Sequence, residues 1–182
     1  NEMIRFKEYL EKHFETTITE DDIRKAIKVN NEARLALRNL YGVMKHDPAP
    51  ITGYDLFKVL YGSTFKLDRS LIAGEVNALV EKIEKEYKEG KMQPKKPRIL
   101  VTGCPLGGAT EKVIRAIEDN GGIVVTYENC SGAKAIDKMV DEDDPDVYGA
   151  LARRYLDIGC SVMTPNPNRL ELLGRLILSL IH

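Results

Sequence analysis

Residues 98–128 decide the fold of this chain. They read Arg98-Ile99-Leu100-Val101-Thr102, then Gly103-Cys104-Pro105-Leu106-Gly107-Gly108, then a helical pattern through Val113, Ile114 and Ile117. After Asn120-Gly121-Gly122 comes a second apolar run, Ile123-Val124-Val125-Thr126-Tyr127, ending in Glu128. β-Branched runs at both ends with glycine punctuation between them define one βαβ unit, with strands expected over 98–102 and 123–127. Nearly continuous apolar strands joined through a helix are expected to lie parallel, with helices on both faces of a small sheet. In such units ligands bind where strands end and helices begin, so the 103–108 loop is the first candidate site.

Spacing limits what that loop does. Glycines flanking a strand-to-helix turn let backbone approach a ligand closely, and the following helix N-terminus favours anions. Gly103 to Gly108 has the span of a P-loop, but Ala109 stands where the phosphate-binding lysine belongs and Lys112 lies a turn later. This argues against a nucleotide-hydrolysing P-loop. The dinucleotide pattern G-x-G-x-x-G also fails, because Cys104-Pro105-Leu106 separates the first glycine from the next. Glu128 nevertheless falls 20 residues after Gly108, about where a ribose-binding acid would sit. A tight βα turn that binds nothing satisfies the same residues.

Composition narrows the class of protein. A chain of 182 residues holds one substantial domain or two small ones. A net charge of −1 with 30% charged residues gives no electrostatic footprint for nucleic acid or an anionic membrane, and neither is expected as a partner. Three cysteines without a secretory signal point to a reducing, cytoplasmic setting. No apolar run approaches the roughly 20 residues of a membrane helix. Both ends read as cut: Asn1 enters a helix directly, and Leu176 to His182 form an apolar run with no terminator.

Outward from the βαβ unit, the first half is helical. Met3, Phe6, Leu10 and Phe14 recur at helical spacing, with His13 a helix-face residue. Thr19-Glu20-Asp21-Asp22 resembles an N-cap with acids in the first turn, opening a helix to about Tyr41 with Ile23, Ile27, Leu37 and Leu40 on its apolar side. Asp47-Pro48-Ala49-Pro50 interrupts. Thr52 or Gly53 opens a short helix with Leu56, Val59 and Leu60, and Asp68 caps a longer one with a stripe of Ile72, Val76, Leu79, Val80, Ile83 and Tyr87. That stripe is expected to pack on the chain itself rather than on a partner. Gly90 to Pro97 reads as a linker. The division is thus a helical region over 1–95 and an α/β domain over 96–182, Rossmann- or flavodoxin-like in its parallel sheet and incomplete at its C-terminus.

Beyond Glu128, Asn129-Cys130-Ser131-Gly132-Ala133-Lys134 forms a polar loop. The acidic run from Asp141 to Asp146 caps a helix whose Val147, Leu151, Tyr155 and Leu156 are expected to face inward. Cys160-Ser161-Val162-Met163-Thr164 is a third short strand or an extended loop. Pro165-Asn166-Pro167-Asn168 caps a last helix, whose Leu172, Leu173, Leu176, Ile177, Leu180 and Ile181 make a broad apolar face. Left uncovered, such a face favours self-association.

Cys104, Cys130 and Cys160 are spaced by 26 and 30 residues, unlike compact zinc or ferredoxin motifs. Each sits at a strand-to-helix junction, the end where an α/β fold builds its site. Convergence on a metal and simple packing are both open for them. A Cys-His nucleophilic pair has only His46, beside a proline-rich turn, and the terminal His182 as further partners.

Four motifs occur in order: Val101-Thr102-Gly103-Cys104-Pro105-Leu106-Gly107-Gly108, Glu111-Lys112-Val113, Glu128-Asn129-Cys130-Ser131-Gly132, and Gly159-Cys160-Ser161-Val162-Met163-Thr164-Pro165-Asn166. Together they resemble the 2-hydroxyacyl-CoA dehydratase family (the 2-hydroxyglutaryl-CoA dehydratase D-component), whose relatives include benzoyl-CoA reductase subunits and double-cubane-cluster reductases. Tyr54-Asp55-Leu56 and Tyr61-Gly62-Ser63-Thr64-Phe65 resemble the helices preceding that family's C-terminal α/β domain. The resemblance implies an iron–sulfur subunit of anaerobic metabolism that holds a 4Fe–4S cluster when full length. It implies a 2-hydroxyacyl-CoA substrate, a paralogous or identical subunit, and an ATP-dependent activator protein that supplies the electron. Family subunits are longer, with cluster cysteines outside the region matched here. No metal ligand is therefore assigned in this chain, its catalytic residues stay unassigned, and activity of the chain alone is not expected. Gly103, Cys104, Pro105, Gly107, Gly108, Glu128, Asn129, Cys130 and Cys160 remain candidates for lining the substrate or cofactor site. A reductase subunit and a non-catalytic CoA-binding or assembly module are the alternatives.

Overall fold

The computed structural model describes residues 2–103, 109–160 and 162–181. Among them the order is α1 (Glu2–Phe14), α2 (Glu20–Val43), α3 (Gly53–Ser63), α4 (Ser70–Lys88), β1 (Arg98–Val101), α5 (Thr110–Asp119) and β2 (Ile123–Tyr127). Then follow α6 (Ala133–Ile136), α7 (Val147–Leu156), α8 (Pro167–Leu176) and a π-helical turn, Ile177–Ile181. The chain is mostly helical around a two-stranded parallel sheet, an α/β arrangement.

The capping chemistry read from the sequence sets the helix starts. Thr19 closes a capping box on α2: its hydroxyl accepts from the Asp22 amide at 3.2 Å, while Asp22 Oδ2 accepts from the Thr19 amide at 3.0 Å. Thr52 caps α3 through the Asp55 amide at 3.0 Å, and Asn166 caps α8 through the Arg169 amide at 3.3 Å. Helix α4 starts one residue later than a cap at Asp68 implies, with Arg69 at the N-cap; Asp68 Oδ1 still takes the Ser70 amide at 3.0 Å. The stripe on α4 packs inward, as expected. Ile72, Val76 and Ile83 join Leu37, Leu40, Leu56 and Leu60 in one core with Ile123, Val124, Val125 and Tyr127. The Gly90–Pro97 connection has no regular structure but is tied back by the Gln93 amide to the Ala49 carbonyl at 2.9 Å.

The strands pair in parallel, Arg98 with Ile123 and Val101 with Tyr127; a bulge at Ile99/Leu100 leaves Val125 as the extra residue on β2. All five residues of β2 are buried, so both faces of that strand are covered, which explains its unbroken apolar sequence. Helices α3 and α5 pack against β2, and the terminal π-helical turn packs against both strands.

Four polar side chains, Glu118, Tyr127, Tyr41 and Arg98, lock these layers. Glu118 of α5 accepts the Gly53 amide at 2.7 Å and the Val124 amide at 3.3 Å, placing a carboxylate on the positive N-terminus of α3. The Tyr127 hydroxyl donates to the Gly53 carbonyl at 2.7 Å, and Tyr41 donates to the Tyr127 carbonyl at 3.0 Å. Arg98 donates to the carbonyls of Met44, His46 at 2.9 Å and Leu180 at 2.6 Å, gathering the end of α2 and the last turn of the chain around β1.

Two expectations are corrected and one open alternative is resolved. Strand β1 ends at Val101 rather than at residue 102. Of the strand and loop readings of 160–164, the described residues 160 and 162–164 take the loop: the Cys160 carbonyl accepts from the Met163 amide at 3.0 Å and from the Asn166 side chain, which closes a turn. On α7, Tyr155 and Leu156 are exposed; the buried face carries Val147, Ala150 and Arg154, whose spacing turns the two following residues outward. At the C-terminus, Leu172, Leu176, Leu180 and Ile181 are packed on the core, while Leu170, Ile177 and Leu178 are exposed.

Candidate functional site

The carboxyl ends of β1 and β2 meet at Glu128. Its amide donates to the Val101 carbonyl at 2.8 Å, which extends the ladder by one residue and fixes the side chain where the strands end. The carboxylate is fully buried, and both oxygens are engaged. Oε2 accepts from the Thr102 hydroxyl at 2.6 Å and from the Gly103 amide at 3.3 Å. Oε1 accepts from Arg169 Nε of α8 at 3.2 Å and lies 3.1 Å from Lys134 Nζ of α6. The Lys134 ammonium is 1% exposed, sits off the best hydrogen-bond direction to Glu128, and has no other acceptor. Burial works to raise the Glu128 carboxyl, but the contacts from Thr102, Lys134 and the Gly103 amide outweigh it and hold it below the ordinary carboxylate value.

This arrangement ties four separate segments to one anion. One carboxylate faces two cations, which leaves a net positive charge at the strand ends. It also fixes the Gly103 backbone, the last described residue before the 104–108 segment. The turn beyond β2 is tight: a Cβ on Gly132 would lie 2.2 Å from the Tyr127 carbonyl, so only glycine lets the chain fold back this closely. That turn directs Ala133 and Lys134 inward and leaves Cys130 exposed.

The sequence candidates are therefore dispersed in character. Gly103 and Glu128 share one hydrogen-bonded cluster. Asn129 is buried with its side-chain oxygen unpartnered, Cys130 is exposed, and Cys160 is half-buried in the turn before α8. Cys104, Pro105, Gly107 and Gly108 lie outside the described residues. Among the described residues, no three or more His, Cys, Asp or Glu side chains are gathered to hold a metal ion. None of their helices is long and apolar enough to cross a membrane. Lys134, Arg169 and Thr102 were not singled out by sequence. The only signal pointing to them was an acid at the end of a fully apolar strand, which demands burial with a partner.

The whole of this arrangement falls within one known family. The sequence matches the family described as 2-hydroxyglutaryl-CoA dehydratase, D-component, over residues 1–179. The chain belongs to that family. It is also similar to the protein named "Putative dehydratase subunit YjiM" of Escherichia coli (strain K12), at 46% identity over 176 residues. That alignment takes in 97% of this chain and 46% of the relative, so the chain spans about half the length of the curated relative it matches. The four sequence motifs, Glu128 among them, all lie inside the matched region.

Proposed function

We propose that this chain is the part of a 2-hydroxyacyl-CoA dehydratase subunit that binds and positions the thioester at the carboxyl ends of β1 and β2. The observation that carries the reading is the family match over residues 1–179, which includes every strand-end motif. The reaction removes water from a 2-hydroxyacyl-CoA: the bond from C2 to the hydroxyl oxygen breaks, a proton leaves C3, and the 2-enoyl-CoA results. A 4Fe–4S cluster, held by cysteines outside the region matched here, would supply the one-electron chemistry, with an ATP-dependent activator as the electron's source. Because the resemblance puts the cluster cysteines there, the share assigned to this chain is binding, orientation and exclusion of water. Glu128 acts as a positioning residue, holding Thr102 and Gly103 together with Lys134 and Arg169. The α/β part from residue 96 is the Rossmann- or flavodoxin-like portion of the subunit, preceded by the helical region. The protein works in the cytoplasm with a paralogous or identical subunit.

The test uses the whole protein, made anoxically with its activator, ATP, a reductant and a 2-hydroxyacyl-CoA. The expected result is 2-enoyl-CoA formed in many-fold excess over reductant consumed. One reductant equivalent per product would make it a reductase, and binding of CoA thioester without turnover would make it a binding module.

A further inference from the structure

Away from Glu128, a second cluster of charge faces no carboxylate among the described residues that line it. A cavity of about 320 Å³ opens between α2, the connection from α3 to α4, the Ser131–Gly132 turn after β2, and α7. Arg34, Arg69 and Arg154 all line it, and no carboxylate does. Two of the three guanidinium residues are more than nine-tenths buried, Arg34 at 9% exposure and Arg154 at 5%. Arginine carries five N–H donors, and among the described residues most are unspent, even with the Arg34 contact to the Tyr155 hydroxyl included. Arg69 uses Nε on Asn30 Oδ1 at 2.8 Å, Arg34 uses Nη1 on Asn31 Oδ1 at 2.9 Å, and Arg154 reaches the carbonyls of Lys138 at 2.9 Å and Ala135 at 2.6 Å. Every one of these acceptors is neutral. Burial, then the charges of Arg154 and Arg69, push the Arg34 guanidinium below its ordinary value, so Arg34 stands close to two further cations.

Buried cations without counter-charge are costly, and proteins that keep them pair them. Planar guanidinium forks match the oxygens of phosphate. Hydroxyls of Ser131 and Thr64 line the same cavity, as does Tyr155, whose ring lies 5.1 Å from the Arg154 guanidinium. Its volume falls at the small end of ligand sites, roughly 300–1,000 Å³. We infer that this cavity is a binding site for a phosphate-bearing anion, held by Arg34, Arg69 and Arg154. The phosphate is that of a nucleotide-bearing thioester or of a free phosphate ligand; the first source rests on the function proposed above, while the site itself rests on the three arginines.

The test is calorimetric titration of the whole protein with sodium pyrophosphate and with CoA, at constant ionic strength, followed by titration of CoA into the pyrophosphate-saturated protein. Pyrophosphate should bind, and Arg69→Gln, which removes a half-buried side chain with a single hydrogen bond, should weaken it about tenfold or more. Arg69→Lys should recover part of that loss. Thr64→Glu, at the exposed rim, places a carboxylate beside the arginines and should abolish binding by occupying their charge. Displacement of pyrophosphate by CoA assigns the site to the thioester's phosphates. CoA binding without displacement leaves the site to a free phosphate and places the thioester elsewhere. Absence of pyrophosphate binding, or affinity unchanged in both Arg69→Gln and Thr64→Glu, overturns the anion site and leaves the dehydratase reading standing on its own assay.

Discussion

Replacing Glu128 by Gln tests whether the strand-end cluster is held by charge. The substitution is nearly isosteric, so packing is unchanged and the effect is electrostatic. Around the side chain stand the Thr102 hydroxyl, the Gly103 amide, the Arg169 guanidinium and the Lys134 ammonium, and the last three can only donate. A glutamine amide would turn its own donors towards some of them and leave Lys134, 1% exposed, without a counter-charge. Removing one partner of a buried ion pair destabilises by about 3–5 kcal/mol. In a chain of this size each kcal/mol shifts the melting temperature by about 2–4 °C, which gives a fall of roughly 6–20 °C. Adding Lys134→Met should restore a large part of that loss, because the orphaned charge goes with it. The pH dependence has a definite sign. The folded Glu128 carboxyl sits below its ordinary value, so its contribution is complete above the unfolded value of about 4.3 and is lost as pH falls through the folded one. Urea unfolding of the single and double variants from pH 3 to 7, on the order of one unit apart, measures both effects. A single variant within about 1 kcal/mol of the parent at pH 7, or a double variant no better than the single, would refute the reasoning.

Asn31→Ala removes a buried side chain that accepts the Val140 amide at 3.0 Å and donates to its carbonyl at 2.8 Å, while also accepting from Arg34; chemical unfolding should show a loss of about 2–4 kcal/mol. Gly53→Ala puts a Cβ 2.3 Å from the Val124 carbonyl, and should cost about 1–3 kcal/mol while loosening amide-exchange protection at the start of α3. Unchanged protection there would mean α3 does not rest on β2. A small thiol reagent on the native protein should label the exposed Cys130 before the half-buried Cys160, read by peptide mass analysis; the reverse order would show that the turn after β2 is folded differently.

Helix starts and the parallel strand pair were legible because both rest on local chemistry. A threonine followed by acids caps a helix whatever lies around it, and two β-branched runs around one helical pattern leave parallel pairing as the economical solution. What stayed open or failed were judgements that depend on a neighbour. Residues 160–164 read as a strand or a loop, and what decides for the loop is that Asn166 claims the Cys160 carbonyl. Tyr155 and Leu156 are apolar, yet Arg154 takes the inward position on α7 because it can reach two carbonyls that would otherwise be left unpaired. Periodicity counts apolar residues and cannot see a buried arginine.

The same limit governs both clusters of charge, and it shows where sequence arguments about electrostatics stop. Glu128 was legible as a position, 20 residues after Gly108 and opening one of the four motifs; its burial at the end of a strand of five buried residues, which demands a partner, was not. Its partners were not, because Lys134 reads as one more lysine in a polar loop and Arg169 lies 41 residues away on another helix. The three arginines were hidden more thoroughly. A net charge of −1 rules out a broad basic surface, and each arginine has an acid close by in the chain: Glu32 near Arg34, Asp68 beside Arg69, Asp157 after Arg154. Folding engages two of these acids with other partners. Asp68 turns to the start of α4 and Asp157 to Lys138, while the guanidinium groups converge on one cavity. Whole-chain charge therefore constrains partners that touch much of the surface, such as nucleic acid or membrane. It does not constrain a small anion, for which three side chains suffice, and such a site becomes visible only when the counter-charges are found to point elsewhere.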